Sequence, residues 1–150
     1  MEPRAFQVTF DAIDPHAQAR FWAAALGWTL EVSTPFIQNL LDQGIAQRSD
    51  VIEIDGELFW TVGSAIAHPA GRGDPVDGSS GARRVLFMGV PEAKSVKNRV
   101  HLDVNVGPDQ RAAEVARLTD LGATVLYEID EPSGHHVTLA DPEGNEFCVQ

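Results

Sequence analysis

The chain has little sulfur and little positive charge. Cys148 is its single cysteine, so no disulfide can form within the chain and a zinc site built from several of its own cysteines is excluded. Its 11 lysines and arginines are outnumbered by 22 aspartates and glutamates, which gives a formal charge of −11. This charge repels a phosphate backbone, and no basic face is predicted to offset it. Nucleic acid is therefore not an expected partner.

The sequence also lacks a long apolar segment. No stretch approaches the ~18 consecutive apolar residues of a membrane-spanning helix. The first residues, Met1 to Arg4, lack the basic and then apolar pattern of a secretory leader. We therefore expect a cytoplasmic protein without a membrane partner. The hydrophobic content of 43% indicates one globular domain, or two small modules that share a core.

The chain does contain an internal repeat. In the first copy an alternating strand pattern, a helix start, a Leu-Gly helix end and a second strand follow one another: residues 6–10, Asp14-Pro15, Leu26-Gly27 and 28–30. The second copy has the same order: residues 100–104, Gly107-Pro108, Leu121-Gly122 and 123–125. Residues 65–71 and 138–144 continue the match. A period of roughly ninety residues is too long for a solenoid unit, so a whole βαβββ module is duplicated.

The repeat predicts an α+β fold. Two tandem βαβββ modules, at about residues 5–92 and 97–150, are expected to form one cup-shaped, pseudo-two-fold mixed β-sheet barrel with its helices outside. Residues 35–47 predict an extra amphipathic helix that the second module lacks. The role of this insertion, residues 35–60, stays open: Phe36, Phe59 and Trp60 could wall the cup or bury a satellite core.

Two further segments link the chain to a known family. The sequence Asp-Pro-Glu-Gly-Asn-Glu-Phe at residues 141–147 and the segment from Val90 to Asp103 accompany the duplicated units. With these features the chain resembles the glyoxalase-like branch of the vicinal oxygen chelate superfamily, which includes glyoxalase I, extradiol dioxygenases, fosfomycin resistance enzymes and bleomycin-binding proteins. The resemblance implies a cup that holds a small molecule. It also implies that the protein forms a homodimer.

The resemblance also implies one divalent metal ion, held by residues of the first and last strand of each module. The corresponding positions here are Gln7, His101, Cys148 and the neighbourhood of Met88. The thioether of Met88 has no charge to offset a hard cation, so we expect no ordinary divalent metal site, and the sequence assigns no cofactor. If a metal is present, Gln7, His101 and Cys148 are its candidate ligands, because a thiolate-imidazole pair can hold zinc or copper.

The leading functional prediction is a small-molecule binding protein without the usual divalent metal. Its candidate ligand-binding residues are Gln7, Asp11, Trp60, Met88, His101, Asp103 and Cys148. One alternative is a lyase or isomerase in which His101 or Glu146 transfers a proton, with or without a metal. Another is a non-catalytic interaction module whose cup is filled by its own side chains. His101 could equally be a neutral core histidine, and Cys148 is predicted to be a small buried hydrophobe.

Overall fold

The secondary structure follows the two modules. The computed structural model describes residues 6–70, 84–132 and 134–150. The first module and its insertion comprise β1 (Val8–Ala12), α1 (Pro15–Leu26), β2 (Thr29–Leu30), α2 (Thr34–Asp42), β3 (Val51–Ile54), β4 (Glu57–Trp60), β5 (Gly63–Ala67) and β6 (Arg84–Gly89). A 3-10 turn at Arg48–Asp50 precedes β3. The second module comprises β7 (Asp103–Val104), α3 (Pro108–Asp120), β8 (Thr124–Glu131), β9 (Gly134–Ala140) and β10 (Glu146–Val149).

Each module forms a four-stranded sheet with the same strand order. The orders are β1-β6-β5-β2 and β7-β10-β9-β8, and the hairpin β3-β4 is a separate pair. In both sheets the first strand pairs in parallel with the last one, and the other pairs are antiparallel. This confirms the α+β class and the duplicated βαβββ unit. Among the described strands no pair joins the two sheets, so the cup does not close into a barrel.

Both first strands lie later in the chain than the sequence predicted. The strand expected at residues 6–10 is observed at Val8–Ala12, and the one expected at residues 100–104 contains only Asp103–Val104. Phe6 and Val100 are 68% and 80% exposed. The reason is tertiary, because the backbone of β6 pairs with residues 8–12, and the backbone of β10 pairs with residues 103–104 and with the carbonyl of Leu102.

Helix α1 begins and ends where local signals place it. The side chain of Asp14 accepts hydrogen bonds from the N–H groups of His16 and Ala17, at 3.0 and 2.9 Å. Pro15 occupies the first turn, where its missing N–H costs nothing. Gly27 ends the helix in the left-handed conformation with a φ of 65°. These two ends position α1 against the first sheet.

One core contains residues of both modules, and α1 lies at its centre. Trp22 is 1% exposed. Its ring centroid lies 5.6 Å from that of Phe10 in the first module and 5.0 Å from that of Phe147 in the second. The indole Nε1 donates a hydrogen bond to the carboxylate of Asp141 at 3.1 Å. A buried aromatic side chain with a satisfied polar atom therefore connects the two modules.

Polar contacts reinforce this junction. The carboxylate of Glu143 accepts hydrogen bonds from the N–H groups of Ile13 and Asp14 at 2.9 and 2.8 Å. The guanidinium of Arg117 in α3 donates to the carbonyl groups of Ala24 and Ala25 at 3.0 and 2.7 Å. Both ends of α1 are thus held by the second module. No helix in the described part of the chain has the length and apolar character needed to cross a membrane.

Candidate ligand-binding site

The insertion encloses a small cavity against the first sheet. The cavity has a volume of about 210 Å³, and Phe36, Phe59 and Trp60 belong to its lining. An ion pair between Arg84 and Glu31, with a nitrogen-oxygen distance of 2.9 Å, also contributes to the lining. Phe59 is buried, while Phe36 is 59% exposed. The insertion therefore provides cavity wall and local core at once, which were the two alternatives that the sequence left open.

A larger cavity lies at the junction of the modules. It has a volume of about 370 Å³ and is bounded by β1, by the segment of residues 90–100 and by the residues just before β7. Asp11 from the first module and His101 from the second both line it. Val8, Val100 and Leu102 contribute apolar wall. Two of the predicted binding residues therefore share the junction cavity, whereas Trp60 lines the small cavity beside the insertion.

Glu146 anchors the segment of residues 90–100. One of its carboxylate oxygens accepts a hydrogen bond from the backbone N–H of Asn98 at 3.0 Å and pairs with the ammonium group of Lys94 at 3.0 Å. The hydrogen bond from Asn98 and the charge of Lys94 lower the pKa of Glu146 to about 2. The carboxylate is therefore ionised at neutral pH, and it holds the cavity wall in place.

His101, Asp103 and Cys148 converge at the start of β7. The Nδ1 atom of His101 lies 3.0 Å from Oδ1 of Asp103 and 3.9 Å from Sγ of Cys148. Parallel pairing of β7 with β10 places Asp103 opposite Cys148, and His101 precedes Asp103 by two residues, on the same face of an extended chain. The side chains of His101 and Asp103 are 42% and 43% exposed, and Cys148 is buried. The group therefore opens to solvent on one side.

The environment of Cys148 does not favour a thiolate in the absence of a metal. Burial raises the pKa of its thiol, and the carboxylate of Asp103 adds to this effect. The hydroxyl group of Thr138, 3.6 Å from Sγ, and the charge of Lys97 act in the opposite direction. A reactive cysteine needs a lowered pKa, so these contacts agree with the predicted small buried residue.

Strand register separates Gln7 from this group. Asp11 pairs with Met88 as Asp103 pairs with Cys148. Asp11 is therefore the counterpart of Asp103, and Thr9 is the counterpart of His101. Gln7 lies two residues before Thr9, outside β1. Its side-chain carbonyl accepts a hydrogen bond from the guanidinium of Arg84. The structure thus brings His101, Asp103 and Cys148 together, but not Gln7.

The described residues do not assemble the hard-ion site that the resemblance implies. Gln7 is held by Arg84, and Glu146 is held by Lys94 and Asn98. Met88 offers only a neutral thioether, which is unsuited to magnesium or manganese. The donor set of His101, Asp103 and Cys148 instead suits a borderline ion such as zinc. From the sequence, Asp103 was a candidate binding residue but not a candidate metal ligand, although its spacing of two residues from His101 was a usable signal.

The fold defines a class of proteins. One similar solved structure is a mutant of FosX, a fosfomycin resistance protein from Listeria monocytogenes, complexed with Mn(II) and 1S,2S-dihydroxypropylphosphonic acid. Its TM-score with this chain is 0.63 and its sequence identity is 10%, and the match covers 100% of this chain and 92% of that chain. A glyoxalase/bleomycin resistance protein/dioxygenase family enzyme from Burkholderia phytofirmans PsJN has a TM-score of 0.57 and 13% identity, and the match covers 95% of this chain and 94% of that chain. A possible glyoxalase from Bacillus cereus has a TM-score of 0.57 and 13% identity, and the match covers 100% of this chain and 98% of that chain. At these identities the similarity establishes the fold alone, which the chain shares with these three proteins.

The sequence identifies the family within that class. The family model described as "Glyoxalase-like domain" matches residues 7–150. The chain therefore belongs to the glyoxalase-like domain family. None of the curated proteins compared with the chain matches it.

Proposed function

We propose that the chain is a small-molecule binding protein of the glyoxalase/bleomycin-resistance type. The cavity of about 370 Å³ at the module junction is the observation that carries the proposal. Its volume falls within the roughly 300–1,000 Å³ of small-molecule sites. Apolar side chains and a comparable number of polar and charged side chains line it, so this cavity is more polar than the mainly apolar sites that are usual for small molecules.

The cavity has the parts that a binding site needs. Val8, Val100 and Leu102 supply apolar surface for desolvation of a ligand. The carboxylate of Asp11 and the imidazole of His101 supply polar groups from opposite modules. The anchoring of residues 90–100 by Glu146 pre-organises one wall, which reduces the entropy lost on binding.

Two observations favour binding over the alternatives. Glu146 is an ionised carboxylate with a pKa of about 2, so it is a weak base for proton transfer at neutral pH. The open volume at the junction disfavours the interaction-module alternative, in which the cup is filled by its own side chains. A lyase or isomerase that uses His101 remains the alternative to exclude by experiment. The usual hard divalent ion is not part of the proposal, because Gln7, Met88 and Glu146 do not offer it a site.

The test uses a variant that fills the cavity. Val100 lines the cavity but is 80% exposed, so V100W should obstruct the site and leave the core intact. V96W is the matched control, because Val96 lies in the same segment, is 76% exposed and does not line the cavity. Fosfomycin, bleomycin and a fragment library serve as probes in a thermal-shift assay with product analysis.

The expected result is a compound that raises the melting temperature of the wild-type protein and of V96W, but not of V100W, without being consumed. A compound that stabilises V100W as much as wild type would place binding elsewhere. Conversion of the compound into a product that is lost in H101A would establish the enzymatic alternative.

A further inference from the structure

Three different donor groups meet at the start of β7: an imidazole, a carboxylate and a thiol. The donor atoms of His101, Asp103 and Cys148 all lie within 4.8 Å of one another. Metal-nitrogen and metal-oxygen bonds of about 2.0–2.2 Å and a metal-sulfur bond of about 2.3 Å place tetrahedral zinc ligands about 3.3–3.6 Å apart. The observed separations of 3.0 Å and 3.9 Å for the pairs that involve His101 bracket these values. Small side-chain rotations therefore bring the three atoms around one ion.

The same geometry argues against a nucleophilic triad. In such a triad the carboxylate binds one ring nitrogen of the histidine and the nucleophile binds the other. Here Asp103 and Cys148 both approach Nδ1 of His101. Donor atoms that converge on one point are the arrangement of a metal site, whereas a proton relay needs them on opposite sides of the ring.

We propose that His101, Asp103 and Cys148 bind one borderline divalent cation of the zinc class. The thiolate and the carboxylate offset both charges of the ion, and the thiol proton leaves to solvent as the sulfur-metal bond forms. Three protein ligands would leave one tetrahedral position for water or another small ligand, and the exposed side chains of His101 and Asp103 give solvent access to the site. The hydroxyl group of Thr138, 3.6 Å from the sulfur, supports the position of the Cys148 side chain.

The site shares the positions of His101 and Cys148 with the metal site that the resemblance implies, but it differs in its donor types and lies within one module. All three donors belong to the second module, and one of them is sulfur. Zinc and cobalt accept thiolate and imidazole ligands, whereas manganese and magnesium prefer oxygen. The neighbouring fold of FosX is recorded with Mn(II), so the proposed metal class separates this chain from that protein. The ion site shares His101 with the junction cavity, whereas Asp103 and Cys148 do not line that cavity.

Cobalt(II) is the probe for the test, because a cobalt-thiolate bond absorbs strongly in the near ultraviolet. Cys148 is the only cysteine, so any such band reports on this site alone. Full-length protein stripped with a chelator is titrated with cobalt, followed by displacement with zinc and, separately, with manganese. We expect one ion per chain, a thiolate band that zinc removes, and manganese binding at least about tenfold weaker.

Four variants complete the test. C148S should lose the band. H101N and D103N should weaken cobalt binding by at least about tenfold, the loss that even an outer partner of a metal ligand can cause. Both change exposed side chains, so they keep the test valid if C148S does not fold. H135N is the matched control, because His135 forms a separate imidazole-carboxylate contact with Glu128 in the same module.

The outcomes separate this proposal from the proposed function. Absence of binding, binding without a thiolate band, or a loss in H135N equal to that in H101N would overturn the ion site. V100W should bind cobalt as wild type does, since it alters only the cavity. Loss of ligand binding in V100W therefore leaves the cobalt test of the ion site intact, and absence of cobalt binding in the wild-type protein leaves the V100W test of the cavity intact.

Discussion

His16 is a histidine that folding buries at the start of α1. Its ring packs edge-on against Phe59, with centroids 5.7 Å apart, and the residue is 8% exposed. Burial lowers its pKa, and the charge of Arg20 adds to this, while Asp14 and the carbonyl of Trp60 act in the opposite direction. The neutral form is therefore favoured in the folded protein more than in the unfolded chain.

The sign of the resulting pH dependence follows from linkage. The unfolded chain takes up a proton at about pH 6.5, but the folded protein does so only at lower pH. The contribution of His16 to stability is present above about pH 6.5 and is lost as the pH falls toward the folded-state pKa. We expect the free energy of unfolding of the wild-type protein to decrease between pH 7.5 and pH 5.5, and H16Q to reduce that decrease.

Urea unfolding at the two pH values measures this difference. H68Q is the control, because it removes one imidazole at an exposed position. An equal reduction of the pH dependence in H68Q and H16Q would show that burial of His16 is not the cause.

Cys148 and Asp103 show how a single residue acquires a role from its partner. Alone, Cys148 is a buried thiol with a raised pKa. Opposite Asp103 and beside His101 it becomes one of three converging donors. None of the three side chains predicts a metal site without the other two, so the proposed ion-binding role belongs to the group.

At the level of elements, the close approach of β5 to β6 needs a glycine. A Cβ atom at Gly63 would lie 2.6 Å from the carbonyl oxygen of Phe87, a distance that forces the two strands apart. We expect G63A to lower the free energy of unfolding by about 1–3 kcal/mol, the usual cost of overpacking. Gly89, also near this strand pair, would place a Cβ at an ordinary 3.5 Å from the carbonyl oxygen of Val62.

G89A is therefore the matched control for G63A. Thermal and urea unfolding of both variants measure the effect. A G63A protein as stable as G89A would contradict the close approach of β5 to β6.

The segment of residues 90–100 is an element without regular secondary structure that nevertheless has fixed anchors. Lys94 and Asn98 both bind Glu146 of β10. The segment connects the modules and also forms a wall of the junction cavity. In the folded chain, Glu146, a candidate acid or base in the sequence, is held by its contacts with Lys94 and Asn98 of this segment.

At the scale of the whole molecule, β8 offers a surface for a second copy of the chain. It is an edge strand of the second sheet, and Val125, Leu126 and Tyr127 are each 46% exposed on it. An exposed apolar edge strand is a template for pairing. We propose that the protein is a homodimer in solution through this edge, as the family resemblance implied.

Light scattering after size-exclusion chromatography tests the proposal. L126K should shift the protein from dimer to monomer, because it places a charge on the exposed edge strand. I45K is the control, since Ile45 is 67% exposed and lies outside both four-stranded sheets. A monomeric wild-type protein, or dissociation in I45K as well, would contradict this interface.

The sequence by itself determined the module plan and the local ends of its elements. The duplicated order of strand and helix, the cap at Asp14 and the helix end at Gly27 were predicted and observed. These features depend on neighbouring residues, through periodicity, capping and turn conformation, so a linear pattern contains them.

Only the tertiary structure decided which residues meet. Alternation with period two assigns a side chain to a face of a strand, but a slip of two residues preserves the face. The position matched to His101 therefore fell on Gln7 in the sequence and on Thr9 in the structure. The pairing of β7 with β10, which sets Asp103 beside Cys148, joins segments that are distant in the chain. Long-range backbone pairing selects that register, and no local propensity encodes it.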